Sequence, residues 1–150
     1  MAATAAELKG VPLFSGLSER QLRRLGRDFK ERSFRPGVEI VRQGHMSGVD
    51  FFVIVDGNVS VTVDGKEVTR LGAGDHFGEL ALIGERERSS TVTALDRVRC
   101  VSMASWHFRR FVNANPDVSW KLLQHLVDLL GERERDGGSV KRRRRPRPDD

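Results

Sequence analysis

A single cysteine, Cys100, stands in the 150 residues. That excludes an internal disulfide and any zinc site built from two or more thiolates, and it fits a reducing compartment. No apolar run approaches the ~18 residues of a membrane span. The first ten residues, MAATAAELKG, lack the basic start and long apolar stretch of a secretion signal, so the expected location is cytoplasmic. The four histidines, His45, His76, His107 and His125, are scattered without the spacing of a metal site. Catalytic pairings are missing too: Ser89 and Ser90 have no neighbouring histidine, and no paired carboxylates stand beside them. The chain is therefore expected not to be an enzyme, and to hold no metal and no cofactor.

Charge is plentiful but unevenly placed. Against 26 Lys plus Arg stand 21 Asp plus Glu, a formal net charge of +5, and residues 141–150 hold six basic and two acidic side chains, so +4 of that excess sits in the last ten residues. The remaining body is close to neutral, and the basicity does not mark it as a nucleic-acid binder. With 38% hydrophobic and 31% charged residues, the chain reads as one soluble globular domain, long enough to bury about two thirds of its unfolded surface.

Short alternating segments at 31–34, 38–42, 51–55, 59–63, 67–71, 91–95 and 97–103 have the period of strands. Pro36-Gly37, Gly44, Asp56-Gly57, Asp64-Gly65 and Gly72-Ala73-Gly74-Asp75 punctuate them, and Asp-Gly between alternating runs is a strong hairpin signal. Without helical crossovers, the expected fold is mainly β: an antiparallel jelly-roll barrel with flanking helices. Ser18 followed by Gln21 matches a capping box opening a helix to about residue 27. After residue 103, Ser105 is expected to cap a helix carrying Trp106, Phe108 and Phe111, and Asn115-Pro116 to open a last helix to about residue 135. That helix spreads Val118, Trp120, Leu122, Leu123, Leu126, Val127, Leu129 and Leu130 over half its circumference, more than one packing face needs. Either it lies in a deep groove of its own barrel, or part of the arc serves a second helix or a ligand lid. Cys100 alternates with Val98 and reads as core.

The segment 77–90, FGELALIGERERSS, interrupts the strands. It is too rich in Leu, Ala and Glu for a strand, and a short helix fits 79–83, ended by Gly84. Gly78 before that helix leaves backbone N–H groups and the positive end of a dipole at one point. Arg88 adds a planar fork suited to two phosphate oxygens, and Ser89 and Ser90 add small donors. Glu79 would repel a bound anion unless it accepts from hydroxyls, as a ribose 2′-OH would allow. Donors for phosphate and an acceptor for sugar, nine residues apart, suit the compact shape of a 3′,5′-cyclic nucleotide.

At these residues, Phe77-Gly78-Glu79-Leu80-Ala81-Leu82-Ile83 and Arg88-Ser89-Ser90-Thr91-Val92-Thr93-Ala94, the sequence resembles the phosphate-binding cassette of the cyclic nucleotide-binding domain family, of the catabolite activator and protein kinase A regulatory subunit type. The resemblance extends over about residues 10 to 135. The cupin alternative that a barrel raises needs clustered His and Glu ligands on facing strands, whereas His76 and Glu79 stand three apart on a turn. It implies that Arg88 pairs with the cyclic phosphate, that Glu79 accepts from the ribose, and that Gly78, Leu80, Ala81, Ser89 and Ser90 complete the cradle. Val68 and Thr69 are then expected to line the base side. Where the catabolite-activator branch carries a Thr-Ser pair that touches adenine, this sequence has Arg133 and Glu134; Ser89 could support a guanine. The expected ligand is cyclic AMP, then cyclic GMP, signalled through movement of the C-terminal helix to a second copy or an effector protein. The division implied is a lead at 1–10, the domain at 11–135 and a disordered basic tail at 136–150. No helix-turn-helix pattern follows the long helix, so sequence-specific DNA binding is not expected. Two alternatives stay open: a nucleotide-independent interaction module, and a Crp/Fnr-like regulator acting with a separate DNA-binding partner or through the basic tail.

Overall fold

Alternation along the two longest strands decides the architecture of the chain, whose computed structural model describes residues 3–45, 50–84 and 87–144, with side chains as far as residue 132. Strands β3 (Asp50–Asp56) and β8 (Val98–Ala104) pair antiparallel, with Phe51 opposite Met103 and Val53 opposite Val101. Successive side chains on a strand leave by opposite faces. Phe51, Val53, Val101 and Met103 accordingly join one apolar cluster with the helices, while Phe52, Ile54, Val98 and Cys100 join another between the sheets. Both faces are covered, which is why 51–55 is an unbroken apolar run.

Around this pair, β1 (Lys30–Phe34) and β6 (His76–Phe77) complete one four-stranded sheet in the order β1-β8-β3-β6. The second sheet runs β2-β7-β4-β5, from β2 (Glu39–Val41), β7 (Thr91–Ala94), β4 (Val59–Val63) and β5 (Lys66–Leu71). Every pairing is antiparallel, and the two sheets close on Val41, Phe52, Ile54, Val59, Phe77, Val92 and Val98 as the expected jelly roll. The Asp64-Gly65 turn joins β4 to β5 with φ of 53° and 79° and Val63 opposite Lys66, the positive φ pair of a two-residue hairpin loop. Strand β6 was not expected, because two residues carry no readable period. Cys100 is fully buried, and burial pushes its thiol up to about 12.

The helices cover the outer face of the first sheet. They are α1 (Ala5–Lys9), a 3-10 turn at Pro12–Phe14, α2 (Glu19–Gly26), α3 (Glu79–Gly84), α4 (Ser105–Ala114) and α5 (Pro116–Arg144). Ser18 caps α2 as expected, its hydroxyl accepting from Gln21 N while Gln21 accepts from Ser18 N. The lead is different from the expectation. Thr4 and Glu7 form a second capping box, Ala3 and Leu8 are fully buried, and Arg99 donates to Glu7 at 2.6 Å and to Glu31 at 2.9 Å. Residues 3–10 thus belong to the folded body. Ser105 is the first helical residue rather than the cap, since Ala104 holds the cap position. Of its aromatic row, Phe108 is buried but Trp106 is 57% exposed.

Helix α5 docks through Val118 and Leu122, both buried, and continues to Arg144, beyond the expected end near 135. Gly137 and Gly138 each cost a helix roughly 1 kcal/mol, but past Ser139 and Val140 come Lys141 to Arg144, which are good helix formers. The expected disordered tail is therefore helical over its first residues, and 145–150 lie outside the described residues, as do the side chains of Arg133 and Glu134. Trp120, Leu123, Val127 and Leu130 remain exposed, so the barrel's own groove accounts for only part of the apolar arc. No described helix is long and apolar enough to cross a membrane.

Candidate ligand-binding site

The cassette begins where β6 stops. Phe77 pairs with Phe52, and the next residue, Gly78, has φ of +99°, a conformation that sends the chain sharply into α3. Only glycine adopts it at little cost. The carbonyl of Gly78 then accepts from Leu82 N at 3.4 Å and from Arg88 Nη1 at 3.3 Å. Arg88 Nη2 donates to the carbonyl of Asp50 at 3.0 Å, and the Arg88 backbone exchanges hydrogen bonds with Gly44 and His45. The side chain is 4% exposed. Burial pushes its pKa down, opposed by the charges of Asp50 and Glu79.

Beside Arg88 lies a cavity of about 290 Å³, walled by Arg32, Glu39, Val41, Asp50 and Phe52 among others. Arg32 stands 3.8 Å from the Asp50 carboxylate, with its guanidinium 6.0 Å from the Phe52 ring centre. The side chains of Arg32, Arg42 and Arg88 border one small hollow, Arg42 being paired with Glu39 at 2.7 Å, a suitable reception for an anion in a partly dry setting. Nothing in the local pattern around Arg32 or Asp50 singles either residue out. Asp50 acts through its backbone carbonyl, which no side-chain pattern reveals.

Glu79 is also buried, at 4% exposure, but it faces the helices. Its Oε1 lies 2.9 Å from Nε2 of His125 on α5 and 3.1 Å from Nδ1 of His76 on β6. Burial alone would raise the carboxyl, yet the contacts with His125 and His76 hold it down at about 2. The same carboxylate raises the His125 pKa against the effect of burial. A buried carboxylate without such partners would be costly. The two imidazoles, set aside in the sequence as unrelated, thus meet at the cassette's acid, and these three side chains are the group that could hold a cation among the described residues.

The remaining expected residues divide into two sets. Gly78 and Glu79 lie with Arg88 through the contacts above, Ala81 is buried, and Leu80, Ser89 and Ser90 are half-buried; of this set Arg88 borders the cavity of about 290 Å³, and the other six are not among its lining residues. Val68 and Thr69 are exposed on β5, the edge strand, and neither lines the cavity beside Arg88.

Comparison with known proteins bears on this arrangement directly. The profile of the cyclic nucleotide-binding domain matches residues 31–115. A cAMP-dependent protein kinase regulatory subunit of Debaryomyces hansenii is 35% identical over 112 residues, which is 74% of this chain and 25% of that protein. The chain spans about a quarter to a third of the length of the first curated relatives it matches. Among solved structures, the regulatory domain of Toxoplasma gondii PKA in complex with cAMP superposes with a TM-score of 0.74 at 27% identity, covering 83% of this chain and 48% of that one. The regulatory subunit of a cAMP-independent protein kinase A from Trypanosoma brucei gives 0.71 at 29% identity, covering 79% and 45%.

Proposed function

The chain belongs to the cyclic nucleotide-binding domain family, and from that premise we propose that it is a non-catalytic sensor in which the 77–90 cassette takes up cyclic AMP and α5 carries the signal. The observation that carries this reading is the position of Arg88. Its fork is buried at the head of the cassette, where it donates to the carbonyls of Gly78 and Asp50 at 3.3 and 3.0 Å. A cyclic phosphate offers charged acceptors in their place, and hydrogen bonds to charged groups are worth about twice neutral ones. The bound cAMP of the Toxoplasma gondii relative supports the choice of nucleotide.

Glu79 supplies the coupling. In this state its carboxylate holds His125, and therefore α5, against the cassette. A ribose 2′-OH drawing on the same carboxylate weakens that hold, so ligand affinity differs between the docked and released positions of α5, as a switch requires. Isothermal titration with cyclic AMP and cyclic GMP side by side tests the reading. One site with tighter binding of cyclic AMP is expected, and Glu79→Ala should lose about tenfold for cyclic AMP but little for its 2′-deoxy analogue. Equal losses for both ligands would remove the ribose role. The Trypanosoma brucei relative, described as cAMP-independent, favours a second reading in which the fold is kept as an interaction module; absence of heat with either nucleotide would select it.

The signal is received by a second copy of the chain. Trp120, Leu123, Val127 and Leu130 are all more than half exposed and follow one another at intervals of three, four and three residues, the spacing of a two-helix seam. Sedimentation is expected to show a dimer that Leu123→Glu combined with Val127→Glu converts to a monomer. A monomer before substitution would refute this pairing.

A further inference from the structure

The side of the cassette facing away from the cavity holds a second constellation. His76 and Glu79 are brought to the same point by the β6–α3 junction, and α5 delivers His125 from 46 residues further along. Their ligand atoms all lie within 4.8 Å of one another, with Oε1 of Glu79 between the imidazoles at 3.1 and 2.9 Å. Around a tetrahedral zinc with bonds of about 2.0–2.2 Å, ligand atoms are separated by ~3.3 Å, so small shifts suffice. The geometry points to a divalent transition-metal site, suited to Zn²⁺, made by Nδ1 of His76, the carboxylate of Glu79 and Nε2 of His125.

A second observation separates this from an ordinary hydrogen-bonded cluster. The His76 side chain is nine-tenths buried, and its Nδ1 makes no hydrogen bond although Glu79 Oε1 is 3.1 Å away, because the two are not aligned for one. A buried ring nitrogen left without a hydrogen bond calls for an explanation, and a cation shared with the neighbouring carboxylate is one that the placement of the three ligand atoms allows. The ligand set is two imidazoles and one carboxylate, without thiolate, a combination that suits zinc and its neighbours better than magnesium or calcium.

Surroundings agree with an open fourth position. The Phe51 ring lies 5.4 Å from the His76 ring and closes the inner side. On the outer side His76 and His125 border a hollow of about 320 Å³ with Leu13, Gln124 and Asp128, where a water molecule can complete the tetrahedron. Lys121 also borders it, but its ammonium is turned to Asp117 at 3.0 Å and to Ser15 at 3.0 Å. A metal bound here would join β6, α3 and α5 at one point, fastening the long helix to the cassette.

The test uses the full chain without an affinity tag, stripped with a chelator and kept free of nucleotide, so that its outcome is independent of the function proposed above. Co²⁺ is added as a spectroscopic probe and Zn²⁺ is titrated calorimetrically. One equivalent of each is expected, with visible ligand-field bands of four-coordinate cobalt and a higher melting temperature with zinc. His125→Gln and Glu79→Gln should each weaken zinc by more than about tenfold, since even outer-sphere partners cost that much. His125 is a third exposed, so its replacement leaves the fold intact, which circular dichroism verifies. Absence of cobalt bands, or zinc affinity retained in both variants and lost in His45→Ala or His107→Ala, would overturn the assignment.

Discussion

Replacing Arg88 by Leu is expected to reduce cyclic AMP affinity by at least about 100-fold while leaving a folded domain. The argument starts from the side chain's position. At 4% exposure it is shielded from water, so the charge it presents to a phosphate is weakly screened. Losing one partner of such a buried charged pair costs about 3–5 kcal/mol, and 1.4 kcal/mol is a factor of ten. The folded state loses less. Leu leaves the carbonyls of Gly78 and Asp50 without the Arg88 donors, at about 1–3 kcal/mol. At about 2–4 °C per kcal/mol for a chain of this size, the melting temperature falls by several degrees without loss of structure. Arg88→Lys separates charge from geometry. It keeps a cation but not the fork, and it should retain part of the affinity. Arg32→Leu alters another guanidinium of the same cavity and should have the smaller effect. Calorimetric affinity unchanged in Arg88→Leu would sink the assignment of the phosphate site.

What the sequence reveals and conceals here follows the range of the interactions involved. The Asp64-Gly65 turn and the Ser18-Gln21 box are legible because each is decided within four residues. The cassette is legible for a related reason: Gly78, Glu79 and Arg88 lie on one short segment, and their residue types alone suit a phosphate and a sugar. Helix α1 was visible in principle, since Thr4 and Glu7 have capping-box spacing. Five residues, however, cannot hold a helix unaided, and its stability comes from burying Leu8 against distant partners. Long-range convergence is where pattern reading stops. His125 meets Glu79 across 46 residues, and Arg99 meets Glu7 across 92. No periodicity encodes either. Val68 and Thr69 show the opposite limit, because order along the chain suggests a role that their exposed place on the edge strand does not display.

Gly78→Ala is expected to lower stability by about 3 kcal/mol or more and to impair ligand binding with it, although it adds a single methyl group. Two separate costs meet at this residue. Its φ of +99° lies where L side chains are rarely accommodated, and such strain amounts to about 1–3 kcal/mol. An added Cβ would also stand 2.5 Å from the carbonyl oxygen of Asp50 and 2.9 Å from Nη1 of Arg88. The first contact is with backbone of β3, which cannot swing aside, so the β6–α3 junction must shift and take the guanidinium with it. Gly37 provides the control. It too has positive φ, +87°, but a Cβ there meets nothing within 4 Å, so Gly37→Ala bears the backbone strain alone. At about 2–4 °C per kcal/mol, Gly78→Ala should melt roughly 6–12 °C below the parent, and Gly37→Ala should fall by less. Equal losses from the two substitutions would mean that the close approach of Asp50, Gly78 and Arg88 does not constrain the cassette, and that Arg88 owes its aim to something other than this packing.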